Sequence, residues 1–153
     1  MTTKTFTLSL FLAAGLALSG CATRQEVMLA KTAPGRIATV AQSPEEGNSP
    51  EMTAHLTTAL QAEGLQVRAP LPPGTRQAGD VDAVVSYVDV WRWDLVMYLQ
   101  SISVRLFDAR TGDLLVTGQW RDSALHGFRD AKTVVQGVVT EMMAKVRSAG
   151  GQN

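Results

Sequence analysis

The sequence predicts an α/β (α+β) domain: a two-layer sandwich with two helices on one face of a mixed, mostly antiparallel sheet of about five strands. Two stretches repeat apolar residues at helical spacing, one beginning near residue 50 and one near residue 131. Before and between them lie short runs that alternate in polarity or are apolar throughout, bounded by Pro, Gly and Asp. The length of 153 residues, with 45% hydrophobic and 18% charged, suits one domain of ordinary globular composition.

The first twenty residues stand apart from that domain. Lys4 precedes a 13-residue run, Phe6 to Leu18, broken only by Thr7, Ser9 and Gly15. A membrane-spanning helix needs about 20 apolar residues, so this run is too short to remain as an anchor. A basic start, a short apolar stretch and small residues after it form the layout of a secretory signal peptide over residues 1–20. It ends in Leu18-Ser19-Gly20-Cys21. Leu, two small residues and Cys directly after an apolar run resembles the lipobox of bacterial lipoproteins. The resemblance implies that the Cys21 thiol receives a diacylglyceryl group, that the Gly20–Cys21 bond is cut, and that the new N-terminus is acylated. Two or three acyl chains anchor effectively permanently, at about 0.8 kcal/mol per buried CH₂. By the sorting rule of Gram-negative lipoproteins, Ala22 implies delivery to the outer membrane. Processing leaves 133 residues and, with Lys4 gone, a formal charge of −1.

Residues 21–35 are mixed and polar and read as a lipidated tether, and residues 36–148 as a single periplasmic domain, followed by a disordered tail over 149–153. The first expected strand is Arg36 to Val40. Ser49-Pro50-Glu51 then supplies an N-cap, a proline at the first helical position and an acid in the first turn. Met52, Leu56, Ala59 and Leu60 share one helical face, and Gly64 ends the helix. Leu65, Val67 and Ala69 alternate with Gln66 and Arg68 as a second strand. After a loop from Pro70 to Gly79, Val81 to Trp91 is apolar at nearly every position, as in a central strand covered on both faces. Trp91-Arg92-Trp93-Asp94 is a charged interruption before another strand, Met97 to Phe107. The turn Asp108 to Asp113 returns the chain as a hairpin into Leu114 to Arg121. Ala131, Val134, Val135, Val138, Met142 and Val146 form the stripe of a final helix, with Asp130 near its start and Lys145 and Arg147 near its end. The order is β-α-β-β-β-β-α.

Three segments besides the lipobox carry a further resemblance: Arg36 to Val40, Tyr87-Val-Asp-Val-Trp-Arg-Trp-Asp94, and Phe107-Asp-Ala-Arg-Thr-Gly-Asp-Leu-Leu115. With them the chain resembles a family of small proteobacterial outer-membrane lipoproteins of unassigned function. The element order is also similar to the periplasmic α/β domain of the curli-secretion, Pel polysaccharide-export and penicillin-binding-protein-activator lipoproteins. Unlike the curli protein, this chain has no long amphipathic hairpin suited to a membrane barrel.

The residues offer little chemistry. Balanced charge provides no basic face for nucleic acid, and one cysteine excludes an internal disulfide or a multi-cysteine zinc site. His55 and His126 have no second His or Cys at ligand spacing, so neither a metal nor a cofactor is expected. No Gly-x-Ser-x-Gly elbow, Walker loop or Gly-x-Gly-x-x-Gly occurs. Asp89 and Asp94 are the one conceivable acid pair. Asp80, Asp82, Asp108, Asp113, Asp122 and Asp130 suit turns and ion pairs.

The expectation is therefore a non-catalytic lipoprotein, held by its N-terminal lipid on the periplasmic side of the outer membrane. It would act by contact with an envelope protein as an accessory or assembly factor. The alternative is a glycan-binding module for peptidoglycan or exported polysaccharide, built on Trp91, Arg92, Trp93 and Tyr98. Alternation places Trp91 and Trp93 on one strand face, where they either pack under a helix or form a binding patch.

Overall fold

The computed structural model describes residues 23–31, 35–123 and 127–150. The signal peptide, Gly20, Cys21 and His126 of the sequence reading lie outside the described residues. Among the described residues, six strands and two helices follow one another as β1 (Arg24–Leu29), β2 (Thr39–Gln42), α1 (Pro50–Ala62), β3 (Gln66–Val67), β4 (Ala83–Asp94), β5 (Val96–Asp108), β6 (Leu114–Arg121) and α2 (Ala131–Gly150). They form one sheet in the order β1-β6-β5-β4-β2-β3. β2 pairs in parallel with β3 and β4, and the remaining pairs are antiparallel. The α/β sandwich is as expected, with one more strand.

That extra strand corrects the reading of residues 21–35 as a tether. Residues 24–29 pair with β6 along their whole length, Arg24 opposite Arg121 and Leu29 opposite Val116. Only Val27 of the six is buried, which is why no apolar period announces this strand. Smaller corrections follow the same logic. β2 starts three residues later than expected, and β3 shrinks to two residues, since parallel pairing with β2 ends at Val67. The helix α2 runs through Gly150, two residues into the expected tail. Most consequential, Trp91 to Asp94 do not interrupt anything: β4 runs on to Asp94, reverses at Leu95, and returns as β5.

Both helices behave as their caps dictate. Ser49 Oγ accepts the Met52 amide at 3.2 Å, with Pro50 at the first helical position, and Gly64 at φ 83° terminates α1. Asp130 Oδ1 accepts the amide and hydroxyl of Thr133 at 2.8 and 2.7 Å, capping α2. Met52, Leu56, Ala59 and Leu60 of α1 and Val135, Val138, Val139 and Met142 of α2 are buried in one core with Val85, Tyr87, Val104, Leu106, Val116 and Trp120 of the sheet.

Cross-strand register defines the covered face. Tyr87, Val104, Gly118 and Val27 form one row, and Val85, Leu106 and Val116 the next. Gly118 permits α2 to lie close: a Cβ there would stand 2.6 Å from both Val138 Cγ1 and Met142 Sδ. Glu63, at the end of α1, joins the helices by accepting Thr140 Oγ1 at 2.6 Å and Arg147 at 2.8 Å. The Lys145 ammonium reaches the Val27 carbonyl at 2.6 Å and Gln25 bonds Glu141 at 2.8 Å, so α2 also holds the edge strand β1.

Candidate functional site

β4 and β5 are the longest strands, at 12 and 13 residues, and outrun their neighbours. β6 ends at Arg121, whose partner is Ser101, and Ser101 faces Val90. Beyond that row the two strands continue alone as a hairpin. A register shift between Val90 and Trp91 adds Gln100 to β5, which then pairs Trp91 with Leu99, Arg92 with Tyr98 and Trp93 with Met97.

This register sorts the predicted patch. Trp91 and Trp93 do share a face, yet at different depths. Trp91 packs partly buried against the core beside Leu99, while Trp93 is 70% exposed. Arg92 and Tyr98 lie on the opposite face, where Arg92 Nε donates to Gln100 Oε1 at 3.0 Å. Tyr98 meets Phe128 edge-on, with ring centroids 5.7 Å apart. The four residues thus do not make one stacking platform.

Under Trp91 lies a polar knot. Asp89 Oδ2 accepts Trp91 Nε1 at 2.6 Å and Ser49 Oγ at 3.0 Å. Tyr87 is two residues back on the same face, in a pair with Thr53 Oγ1 at 2.7 Å, and its hydroxyl donates to the Ser49 carbonyl at 3.2 Å. Burial raises the Tyr87 pKa above its ordinary value, and the Asp89 carboxylate adds to that. The knot fastens the start of α1 to β4. Asp94, the other half of the conceivable acid pair, is five residues further on the opposite face of β4, about 16 Å along an extended strand. The two carboxylates therefore do not meet.

His55 stands on α1 with Nε2 3.4 Å from Glu51, an i, i+4 neighbour. Among the described residues no group of three or more His, Cys, Asp and Glu is placed to hold a metal ion. Asp82 closes the far end of the sheet by accepting the Ala38 and Thr39 amides at 2.9 and 2.8 Å and the Thr39 hydroxyl at 2.9 Å. These bonds, the Ala38 amide foremost, hold its pKa below the usual carboxylate range. Asp108 Oδ1 likewise accepts the Arg110 and Thr111 amides, as turn carboxylates do.

The sheet face away from the helices is what sequence patterning missed. Its far end is covered: Val84 and Phe107 are buried, the Arg76 guanidinium lies 5.1 Å over the Phe107 ring, and Glu45 pairs with Arg105 at 3.0 Å. The end nearer the hairpin is open. Val88, Ser103, Gln119 and Glu26 make one cross-strand row there, and Val90, Ser101, Arg121 and Arg24 the next. Together they floor a trough of about 510 Å³. Val88 and Val90 are exposed in it. Their near-continuous apolar run suggested cover on both faces, which β4 has only as far as Tyr87.

A six-stranded mixed sheet with two helices on one face places the chain among two-layer α/β sandwich proteins. No protein-family profile and no curated protein sequence matches it. Solved structures do. The PelC dodecamer from Paraburkholderia phytofirmans aligns over 81% of this chain and 96% of its own, with TM-score 0.53 and 14% identity. A point-substituted form of the same dodecamer gives the same coverage and TM-score at 12% identity. A PDZ domain protein from Parabacteroides distasonis aligns over 88% of this chain but 38% of its own, with TM-score 0.48 and 11% identity. The fold is therefore shared with PelC, in agreement with the Pel-like element order read from the sequence.

Proposed function

We propose that this chain is a lipid-anchored lipoprotein of the outer membrane that works without catalysis, by protein contact in the periplasm, as an accessory or assembly factor. The observation that carries this reading is the open trough. A sheet with helices on one face ordinarily hides or solvates the other. Here part of that face is roofed by loops, and the remainder presents exposed Val88 and Val90 beside Arg24 and Arg121. Exposed valines on β4 that face arginines on β6 and β1 across a floor of Ser101, Ser103 and Gln119 combine the apolar and polar contacts of a protein-contact surface. The lipobox supports the anchor. The fold likeness to PelC, described as a dodecamer, supports action through assembly.

Protein contact is favoured over glycan binding because sugar stacking wants neighbouring rings on one accessible face. Here the Trp91 indole is half-buried and tied to Asp89.

The test is capture from membranes with the full-length protein and with Val88→Glu and Val90→Glu variants. The reading expects an envelope protein, absent from captures with an unrelated lipoprotein, whose yield drops at least tenfold in variants of unchanged thermal stability. Equal yield from variant and wild type would remove the trough from the reading. A Cys21→Ser chain that is still processed and still takes up labelled palmitate would remove the anchor.

A further inference from the structure

The apex of the β4–β5 hairpin breaks two rules at once. Trp93, Leu95, Val96 and Met97 are 70%, 81%, 52% and 58% exposed, four large apolar side chains within five residues. Leu95, the most exposed, also holds φ at 61°, a left-handed conformation that turns ordinarily assign to glycine or asparagine. Nothing in the fold rewards a leucine there. Such double violations of local and burial preference mark functional positions.

The direction of the chain says what lies beyond the apex. β1 begins at Arg24, in the cross-strand row of Arg121, Ser101 and Val90. That row is the one from which the hairpin departs. Thr23 is held at this end by Asp122 and Arg129, at 3.4 and 3.2 Å. Cys21 lies three residues before Arg24 and Trp93 three residues after Val90. Three residues of chain span at most about 10 Å, so the covalent link to Arg24 keeps a lipid-bearing Cys21 within that reach of the row, and the hairpin apex stands three residues beyond the same row. Behind the apex stand four exposed arginines: Arg24, Arg92, Arg121 and Arg129. Asp94 is the one acid in the apex itself.

We propose that the hairpin apex inserts into the lipid bilayer that holds the Cys21 acyl chains, as a second, protein-borne contact with the membrane. The inference rests on the lipid-anchored reading and adds an orientation to it. Tryptophan and aliphatic side chains enter the boundary between head groups and acyl chains, and arginines behind them meet the phosphates. One lipid-bearing residue alone is a swivel. With the apex inserted as well, the strands stand on the membrane and the trough opens sideways, parallel to the bilayer, toward other proteins anchored in it.

The test uses the full-length lipidated protein in phosphatidylethanolamine/phosphatidylglycerol vesicles. With Cys21 acylated, Leu95→Cys supplies the only free thiol for an environment-sensitive fluorophore. Val96→Cys is a second apex site, and Thr111→Cys in the β5–β6 turn marks the opposite end of the sheet. Insertion expects nitroxide-labelled lipids to quench both apex probes at least threefold and the Thr111→Cys probe by less than 1.2-fold. Flotation with the vesicles is read on each sample. Protein that floats while its apex probes remain in water overturns insertion and leaves the anchor intact. An apex shielded from water but unquenched by nitroxide means protein covers it, which also overturns the proposal. Protein that neither floats nor incorporates palmitate overturns the anchor and the insertion together.

Discussion

The Trp91 indole donates a 2.6 Å hydrogen bond to the Asp89 carboxylate, two positions earlier on the same face of β4. That carboxylate oxygen also accepts the Ser49 hydroxyl, so one acid ties together the entry of α1, the strand beneath it and the first tryptophan of the hairpin. Asp89→Ala leaves two half-buried donors without their acceptor and is expected to cost about 2 kcal/mol. Asp89→Asn, which keeps one carbonyl oxygen, should cost less. Urea denaturation of both variants checks the order, and equal losses would show that packing rather than hydrogen bonding fastens the helix entry.

The two hairpin tryptophans should separate cleanly in stability. Trp91 is packed against the core, whereas Trp93 is mostly in solvent. Trp91→Ala is expected to cost about 2 kcal/mol through lost burial, and Trp93→Ala less than about 0.5 kcal/mol. In detergent-solubilised protein, Trp93→Phe should also remove most acrylamide-quenchable emission, since Trp120 is buried. Unchanged quenching in that variant would contradict the exposed placement of Trp93.

Gly118 is the contact point of α2 on the sheet. A methyl group there meets Val138 Cγ1 and Met142 Sδ at 2.6 Å and Met142 Cγ at 2.8 Å. Val138 is β-branched and cannot swing aside as Met142 can. Gly118→Ala is expected to destabilise by about 1–3 kcal/mol, and adding Met142→Ala should give less than the summed loss. Additive losses in thermal denaturation would mean that the helix shifts as a body instead.

Acid should loosen the fold at two named carboxylates. The Thr140 hydroxyl lowers the Glu63 pKa, opposed by burial and assisted by Arg147. The Ala38 and Thr39 amides lower that of Asp82. Each group thus binds its proton more weakly folded than unfolded. Its contribution is present above the unfolded value and is lost as pH falls below about 4, toward the folded value. Urea midpoints measured downward from pH 6 should fall in that range. The fall should be shallower in Glu63→Gln and Asp82→Asn, and an unchanged slope in both variants would contradict the assignment.

Legibility followed how many side chains of an element face the core. Helix α1 put Met52, Leu56, Ala59 and Leu60 inward and announced itself with Ser49, Pro50 and Gly64, and every one of these took its expected place. The turn at Asp108 was equally readable, because its capping carboxylate acts within three residues. Strand β1 buries Val27 alone and borrows its order from β6 and, from more than a hundred residues away, from the α2 side chains Lys145 and Glu141. The hairpin was illegible at Trp91 to Asp94 because its reversal uses Leu95, a residue with no turn signature, and because charged residues look like a break when a strand leaves the sheet.

By itself the sequence determined the capped helices, the α/β class, the alternation that puts Trp91 and Trp93 on one face, and the lipobox expectation at Cys21. These are local properties, set by spacing, caps and short motifs. Tertiary structure alone decided that Trp91 is tucked in while Trp93 stands out, since depth depends on where the covering core stops along β4. It also decided that the end of the sheet where β1 begins and the hairpin apex point the same way. Pairing of β1 with β6, and of β6 with β5, brings residues 24, 121, 101 and 90 into one row, and no local pattern in the chain encodes that alignment.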